Sequence, residues 1–338
     1  MKIGLDIMSG DNAPLSNING AIRYIQNPKS KNNKIVLYGN ENILKNNNSL
    51  IKNNSRILTK ATTDIINMDD KPSSAFKRKR NSSMIRIIDD IKSGYVQACV
   101  SSGNTGALLT ASLLILGKIR GIKRPALAPF IPIGNKGFIL CDAGANSNNK
   151  PEHLLQFAFM ASAYLKHLDK IYRPKIGLLN IGIEKNKGNQ LVKDSHLLLE
   201  HNFKNFIGNI ESRNLFDNKV DIVVCDGFTG NIVLKLIEGS VSNMIKSTMK
   251  SINSHSLSKI VKPVLGPVLN DIKKSFDYEE HGGTPILGVN EIVMKCHGSS
   301  NDKAIENALF NTQKSYENHL IKDMNKSLSK NRLKLINQ

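Results

Sequence analysis

Residues 220–231 read Val-Asp-Ile-Val-Val-Cys-Asp-Gly-Phe-Thr-Gly-Asn, an apolar run that ends in a polar loop with two glycines. A short, continuous apolar run is typical of a strand that is buried on both faces of a parallel sheet. The stretch that follows, Thr229–Ser251, has the apolar periodicity of a helix. Strand, polar loop and helix in this order form the repeating unit of doubly wound α/β folds.

The same order recurs along the chain. Apolar runs predict strands at Lys2–Ile7, Lys34–Gly39, Ala98–Ser102, Gly137–Asp142, Lys175–Gly182 and Val220–Asp226. Amphipathic stretches predict further helices at Leu15–Gln26, Lys71–Lys92, Thr105–Leu116, Pro151–Lys166 and Asn189–His201. Such alternation predicts an α/β fold with a mostly parallel sheet. We expect one domain over residues 1–321, with a helical excursion at about 255–276 and a basic, frayed tail over 322–338.

Four predicted strands end in loops that combine Gly with Asn, Ser, Thr or Asp. These loops span residues 101–106, 142–146, 180–182 and 226–231. Ligands of doubly wound folds bind at the carboxyl ends of the strands, so the loops predict a composite anion site. The sequence has no dinucleotide or P-loop fingerprint and no Cys-x-x-Cys pair among its four cysteines. We therefore expect neither a cofactor nor a metal.

The formal net charge is +19, from 47 basic and 28 acidic residues. Such an excess favours an acidic partner, which means a nucleic acid, an anionic membrane or an acidic protein. Compositional drift in a chain rich in Lys, Asn and Ile is the competing interpretation. No run approaches the roughly 18 apolar residues of a membrane span, and an acid at Asp6 argues against a signal peptide. We expect a cytoplasmic protein.

These loops resemble the acyl-carrier-protein:phosphate acyltransferase family of bacterial phospholipid synthesis. The resemblance runs from about Met1 to about Tyr316, and its segments occur in the family's order. They are residues 6–11, 101–107, 124–126, 142–146, 178–182, 187–189, 206–209, 224–231 and 297–300. The resemblance implies a three-layer α/β/α sandwich, similar to phosphate acetyltransferases and isocitrate-type dehydrogenases, and a homodimer.

The reaction that the resemblance implies is attack by a phosphate oxygen on a thioester carbonyl, for which no enzyme nucleophile is needed. Phosphate and substrate binding fall to Ser101, Ser102, Asn104, Thr105, Asn146, Gly227, Thr229 and Asn231. The candidate catalytic residues are Lys187, Asn180, His297 and Asp226. Each has a structural alternative: a helix cap for the Ser, Thr and Asp residues, a solvated charge for the lysine, and a hydrogen-bonded structural side chain for the histidine. Cys225, inside an apolar run, is interpreted as an inert thiol.

The partners that the resemblance implies are acyl carrier protein, inorganic phosphate and a membrane-bound glycerol-3-phosphate acyltransferase. The basic run 77–80 is interpreted as a solvated helix face, so nucleic acid is not expected. Within residues 257–276, an apolar stripe that includes Leu265, Val268 and Leu269 predicts contact with an anionic membrane, at the inner face of the cell membrane, or with a dimer partner. Competing functions are a short-chain phosphate acetyltransferase that uses coenzyme A, an NAD-dependent dehydrogenase of the isocitrate type, and a non-catalytic basic binding protein.

Overall fold

The computed structural model describes residues 1–134, 136–254, 263, 265–267 and 282–327. Its strands are β1 (Lys2–Asp6), β2 (Lys34–Asn40), β3 (Ile57–Thr62), β4 (Ala98–Ser101), β5 (Ala126–Leu127), β6 (Phe130–Ile133), β7 (Lys136–Cys141), β8 (Ile176–Asn180), β9 (Phe206–Glu211), β10 (Ile222–Val224), β11 (Thr284–Leu287) and β12 (Ile292–Lys295). Most of the predicted helical excursion at 255–276, including Val268 and Leu269, and most of the predicted tail lie outside the described residues.

The helices include α1 (Leu15–Gln26), α2 (Glu41–Asn46), α3 (Asn48–Ile51), α4 (Pro72–Arg78), α5 (Ser83–Lys92), α6 (Thr105–Ala111), α7 (Pro151–Asp169), α8 (Gln190–Asn202), α9 (Gly227–Ser254) and α10 (Asp302–Glu317). Residues 320–327 are also helical. A π-helical turn, Ser112–Leu116, continues α6. Two 3₁₀ turns lie at Pro28–Ser30 and Ser212–Asp217.

The strands form two sheets rather than one. The first has seven strands in the order β3-β2-β1-β4-β12-β11-β5, and the second has five in the order β6-β7-β10-β8-β9. In the first sheet only β11 runs antiparallel to its neighbours, and in the second only β6 does. The predicted mostly parallel α/β fold is therefore confirmed.

The two sheets share apolar packing. One hydrophobic cluster includes Val36 and Cys99 of the first sheet together with Phe138 and Val223 of the second, all fully buried. The continuous apolar runs that predicted strands are buried along their length, as β1, β4 and β10 show. Burial on both faces explains why these strands do not alternate between apolar and polar residues.

The prediction of a single helix over Lys71–Lys92 is wrong, because the chain leaves the helical path between α4 and α5. The backbone N–H of Asn81 donates to the Asp64 carboxylate at 3.0 Å, and residues 64 and 82 form an isolated parallel bridge. This long-range pairing takes the backbone groups that a continuous helix would use, and helical periodicity alone does not reveal it.

Candidate active site

A cavity of about 490 Å³ lies where loops from both sheets meet. Its wall includes residues that follow β1, β4 and β12 of the first sheet, and β7 and β10 of the second. The polar residues that line it include Asp11, Thr105, Asn231, Lys235, Glu238, Lys295 and His297. These loops follow the carboxyl ends of parallel strands, which is where doubly wound folds bind ligands.

A larger cleft of about 850 Å³ lies elsewhere, at the start of β7 and just before β8 and β10. Lys136, Lys175 and Lys314 are among its lining residues. It lies at the amino ends of these strands, away from the Gly-rich loops, so the smaller cavity is the better candidate for the active site.

Hydrogen bonds to Asp6, at the end of β1, anchor the start of the loop after β4. The Ser101 hydroxyl donates to one Asp6 oxygen at 2.7 Å, and the Ser83 hydroxyl donates to the other at 2.6 Å. Ser101 also accepts from the backbone N–H of Gly103 at 3.1 Å. Ser101 is fully buried and positions the loop, whereas Thr105 lies on the cavity wall.

Both the oxygen and the nitrogen of the Asn104 side-chain amide form hydrogen bonds within the protein. Its oxygen accepts from the backbone N–H of Ala107 at 3.0 Å and caps α6. Its nitrogen donates to the carbonyls of Met68 at 2.8 Å and Asp70 at 3.0 Å. The side chain thus joins two loops. The neighbouring Ser102 hydroxyl is buried and has no hydrogen-bond partner in the described ranges.

Asp142, directly after β7, holds the next loop. Its carboxylate accepts from the backbone N–H groups of Leu127, Ala145 and Asn146 and from the Asn146 amide, at 2.8–3.1 Å. Burial raises the pKa of Asp142, and these four hydrogen bonds act against that rise. The Asn146 amide also donates to the Pro125 carbonyl at 2.7 Å, so this side chain is structural in the geometry observed.

The start of α9 packs directly on that loop. A Cβ at Gly230 would lie 1.9 Å from the Asp142 carbonyl oxygen, and one at Gly227 would lie 2.5 Å from the Asn146 carbonyl oxygen. Glycine is required at both positions for the backbones to approach. Asn231 follows and lines the cavity, and its amide forms no hydrogen bond with the rest of the described chain.

Asp226 caps α9. One carboxylate oxygen accepts from the Thr229 backbone N–H at 2.9 Å, and the other accepts from the Thr229 hydroxyl at 2.7 Å. Neither Asp226 nor Thr229 lines the cavity. Cys225, which precedes them, is buried, and burial followed by the nearby Asp142 and Asp226 raises its thiol pKa well above the ordinary value. A thiol held protonated in this way is a poor nucleophile.

His297 lies at the cavity on the loop after β12. Its Nδ1 accepts from the backbone N–H of Ser299 at 3.2 Å and lies 2.8 Å from the Ser299 hydroxyl oxygen. An accepting Nδ1 assigns the proton of the neutral imidazole to Nε2. The imidazole thus carries its N–H group on a ring that lines the cavity.

Asn180 and Lys187 belong to a separate loop after β8. The Asn180 amide donates to the Lys187 carbonyl at 3.1 Å, and its oxygen accepts from the Ile181 backbone N–H at 2.8 Å. The Lys187 side chain is exposed, and neither residue lines the cavity. The structure thus brings Thr105, Asn231 and His297 together and leaves Asn180 and Lys187 apart from them.

Lys295 is one of the cavity residues that the sequence patterns did not single out, as are Lys235 and Glu238. It ends β12, lines the cavity and is 8% exposed. Burial lowers the pKa of its ammonium, against the opposing effects of Cys296, Asp6 and Asp11. Because the chain is rich in lysine, the presence of a lysine does not by itself indicate a site. The position of Lys295 directly after the apolar run Ile292–Met294 is the sequence signal that could have identified it.

The fold is that of phosphate acyl-transferring enzymes and their structural relatives. A branched-chain phosphotransacylase from Enterococcus faecalis superposes with a TM-score of 0.59 at 14% identity, over 93% of this chain and 98% of that one. The EutD phosphotransacetylase from Staphylococcus aureus gives 0.57 at 13% identity, over 93% and 94% of the two chains. A 4-hydroxythreonine-4-phosphate dehydrogenase from Klebsiella pneumoniae gives 0.52 at 11% identity, over 92% and 99%. At these identities the likeness establishes the fold alone.

The sequence relatives are far closer. A phosphate acyltransferase from Geobacillus sp. is 41% identical over 332 residues, which are 98% of this chain and 99% of that protein. One from Staphylococcus aureus is 40% identical over 330 residues, 97% and 98% of the two chains. The profile of the fatty acid synthesis protein family matches residues 1–322. The chain belongs to this family, and the predicted acyltransferase class, with an acyl donor and a phosphate acceptor, is confirmed.

Proposed function

We propose that the protein transfers a long-chain fatty acyl group from acyl carrier protein to inorganic phosphate, giving an acyl phosphate for phospholipid synthesis. The observation that carries this proposal is the convergence of Thr105, Asn231 and His297 on one cavity at the carboxyl ends of strands from both sheets. A hydroxyl, an amide and an imidazole N–H suit the many acceptor oxygens of a phosphate and a thioester.

The reaction is a direct displacement. A phosphate oxygen forms a bond to the thioester carbonyl carbon, and the carbonyl electron pair moves to its oxygen. Collapse of this intermediate breaks the C–S bond, the electron pair leaves on sulfur, and the thiolate takes up the proton that phosphate gives up. The imidazole N–H of His297 donates a hydrogen bond to the oxyanion and so supports its charge. Thr105 and Asn231 orient the phosphate.

The remaining sequence-predicted residues act in this proposal by positioning. Ser101 and Asn104 fix the loop that carries Thr105, and Asp226 and Thr229 fix the first turn of α9, which carries Asn231. Asn146 and Gly227 set the spacing between the loop after β7 and α9. Lys187 and Asn180 lie on a loop next to this edge, where an exposed lysine suits contact with an acidic carrier protein.

A homodimer forms part of the proposal, and α9 is the surface that supports it. Its side chains Ile232, Leu236 and Met244 are 51–70% exposed. Leu236 and Met244 also line an apolar groove of about 470 Å³ between α9 and the turn Ser212–Asp217. Met244→Lys should yield a monomer in light scattering, and a dimer that survives this change would place the contact elsewhere.

In this proposal the protein also binds the anionic inner face of the cell membrane. There the hydrophobic acyl phosphate passes to a membrane-bound glycerol-3-phosphate acyltransferase. Among the residues that the structure describes, no helix is long and apolar enough to cross a membrane. The candidate for contact with the membrane is the apolar stripe around Leu265.

The deciding assay offers phosphate together with palmitoyl acyl carrier protein or acetyl-coenzyme A, and traps acyl phosphate with hydroxylamine. We expect palmitoyl hydroxamate from the carrier protein, none without phosphate, and little acetyl hydroxamate. Faster turnover of acetyl-coenzyme A would favour the short-chain alternative. Thr105→Ala should raise the KM for phosphate on the order of 10-fold, since a donor to an anion is lost. A folded Thr105→Ala with an unchanged KM would remove this residue from the site.

A further inference from the structure

Lys295 is a buried cation with too few partners. Its side chain is 8% exposed and lies on the cavity wall, and β12 pairs it with Ser101 of β4. Its ammonium donates to the carbonyl oxygen of Cys296, the residue next to it. An ammonium has three N–H donors, so two remain without an acceptor from the described part of the chain.

The nearby carboxylates do not neutralise it. Asp6 is fully buried and already accepts from the Met8 backbone N–H and from the hydroxyls of Ser83 and Ser101, at 2.6–3.0 Å. Asp11 lines the same cavity, but over residues 1–134, 136–254 and 282–327 no carboxylate lies within ion-pair distance of the Lys295 ammonium. Burying a charge without a counter-charge is costly, so an ammonium at this position calls for an anion that the described part of the chain does not supply.

Neutral donors surround the same space. The hydroxyl of Thr105, the amide of Asn231 and the imidazole of His297 share the cavity with Lys295. Together they would offer hydrogen bonds in several directions around one positive charge. An anion with several oxygens, such as phosphate, satisfies such a set better than a single carbonyl oxygen does.

We propose that Lys295 binds the phosphate acceptor directly and supplies the positive charge of its site. This assignment rests on the proposed function, in which phosphate is the nucleophile. It gives the charged role to a buried lysine of the first sheet rather than to Lys187, which is exposed on a loop of the second. Bound phosphate then provides the counter-charge that the described residues do not offer to the ammonium.

The test compares Lys295→Met with Lys314→Met. Lys314 is a suitable control because it too is partly buried and donates to a backbone carbonyl, that of Leu168, but it lines the other cleft. Lys295→Met should raise the KM for phosphate on the order of 10- to 100-fold and leave the KM for the acyl donor unchanged. Phosphate should also raise the Tm of the parent and of Lys314→Met but not that of Lys295→Met, at matched ionic strength with chloride.

A folded Lys295→Met whose KM for phosphate equals that of the parent would overturn the assignment. So would a fall in kcat alone, because that would place the ammonium against the developing oxyanion instead. If the variant does not fold, the ¹³Cε resonance of Lys295 in the unmutated protein decides. Phosphate must move the titration of that resonance to higher pH, and an unchanged titration refutes the proposal. Failure of the proposed function itself would show as absence of acyl hydroxamate from the parent protein.

Discussion

Gly230 lies where the surrounding atoms leave no room for a Cβ. A Cβ there would lie 1.9 Å from the Asp142 carbonyl oxygen and 2.9 Å from the Cys225 sulfur, both fixed by packing. We expect Gly230→Ala to destabilise the fold by about 3 kcal/mol or more, because neither neighbour can move away. Thermal unfolding measures the loss.

Gly239 provides the matched control in the same helix. Apart from its chain neighbours and the adjacent backbone of the helix, no atom of the described chain lies within 4 Å of the Cβ that an alanine would add at that position. Because alanine forms helix better than glycine, Gly239→Ala should stabilise the protein by up to about 1 kcal/mol. Equal effects of the two substitutions would contradict a role for close backbone approach at Gly230.

Cys225 tests the direct displacement. Its sulfur donates to the Asp142 carbonyl at 3.4 Å, a contact that a serine hydroxyl can replace. Because the buried thiol remains protonated, we expect Cys225→Ser to keep kcat within a few-fold of the parent in the hydroxamate assay. Mass spectrometry in the absence of phosphate should find no acyl group on Cys225, and a trapped acyl-enzyme there would refute direct attack by phosphate.

At the scale of elements, α1 and α10 are joined by an ion pair. The Arg23 guanidinium donates to Glu306 at 3.1 Å and to Asp302 at 3.2 Å, and the Glu306 side chain is only 7% exposed. Burial acts to raise the pKa of Glu306, but hydrogen bonds from Arg23 and Lys303 outweigh it, and the net pKa is lowered. The stabilisation is therefore present above the unfolded-state pKa of about 4.3 and is lost as the pH falls through the folded-state pKa.

Glu306→Gln should accordingly cost on the order of 1 kcal/mol of stability at pH 7 and progressively less below pH ~4. Melting curves across this pH range measure the difference from the parent. Glu41→Gln is the control, because the Glu41–Lys45 pair is 66–70% exposed and such pairs contribute little. A Glu306→Gln deficit that persists undiminished in acid would assign the loss to packing rather than to charge.

For the segment around Leu265, the sequence predicts contact with either the membrane or a dimer partner. Leu265 is 40% exposed, which leaves its side chain available to either. Leu265→Glu and Val268→Glu should abolish co-sedimentation with anionic vesicles and leave the dimer and the soluble activity intact, since a carboxylate is repelled by anionic head groups and costly to bury among acyl chains. Dissociation or unfolding of the variants would assign the segment to the dimer interface or the core.

Sequence patterns predicted the elements well wherever local periodicity decides them. Helix α1 was predicted with both of its ends, and six strands with ends that differ by up to two residues. The patterns failed at the break between α4 and α5, which depends on Asp64. They also did not predict six strands, namely β3, β5, β6, β9, β11 and β12, of which β12 is a four-residue run that ends in a lysine. They also selected amide side chains such as Asn104 and Asn180 for the site, but cannot tell whether an amide binds backbone or ligand.

At the scale of the whole molecule, the net charge of +19 has two competing interpretations, electrostatic steering of an acidic partner and compositional drift. A basic surface speeds encounter with an acidic protein, and salt screens that attraction. The rate with acyl carrier protein should therefore fall steeply between low and physiological ionic strength, and the rate with a smaller acyl-coenzyme A donor should fall less. Equal salt dependence for both donors would favour drift as the origin of the charge.

The strand order also has a consequence for synthesis on the ribosome. In the first sheet β4 lies between β1 and β12. Strand β1 is synthesised before β4, but β12 is synthesised almost two hundred residues after it. Until then one edge of β4 is open, and open edges invite pairing between nascent chains. The cavity has no complete wall before residue 298 is made. A premature stop just before β11 should therefore give an aggregating fragment rather than a weakened enzyme, and chaperone demand should be greatest late in translation.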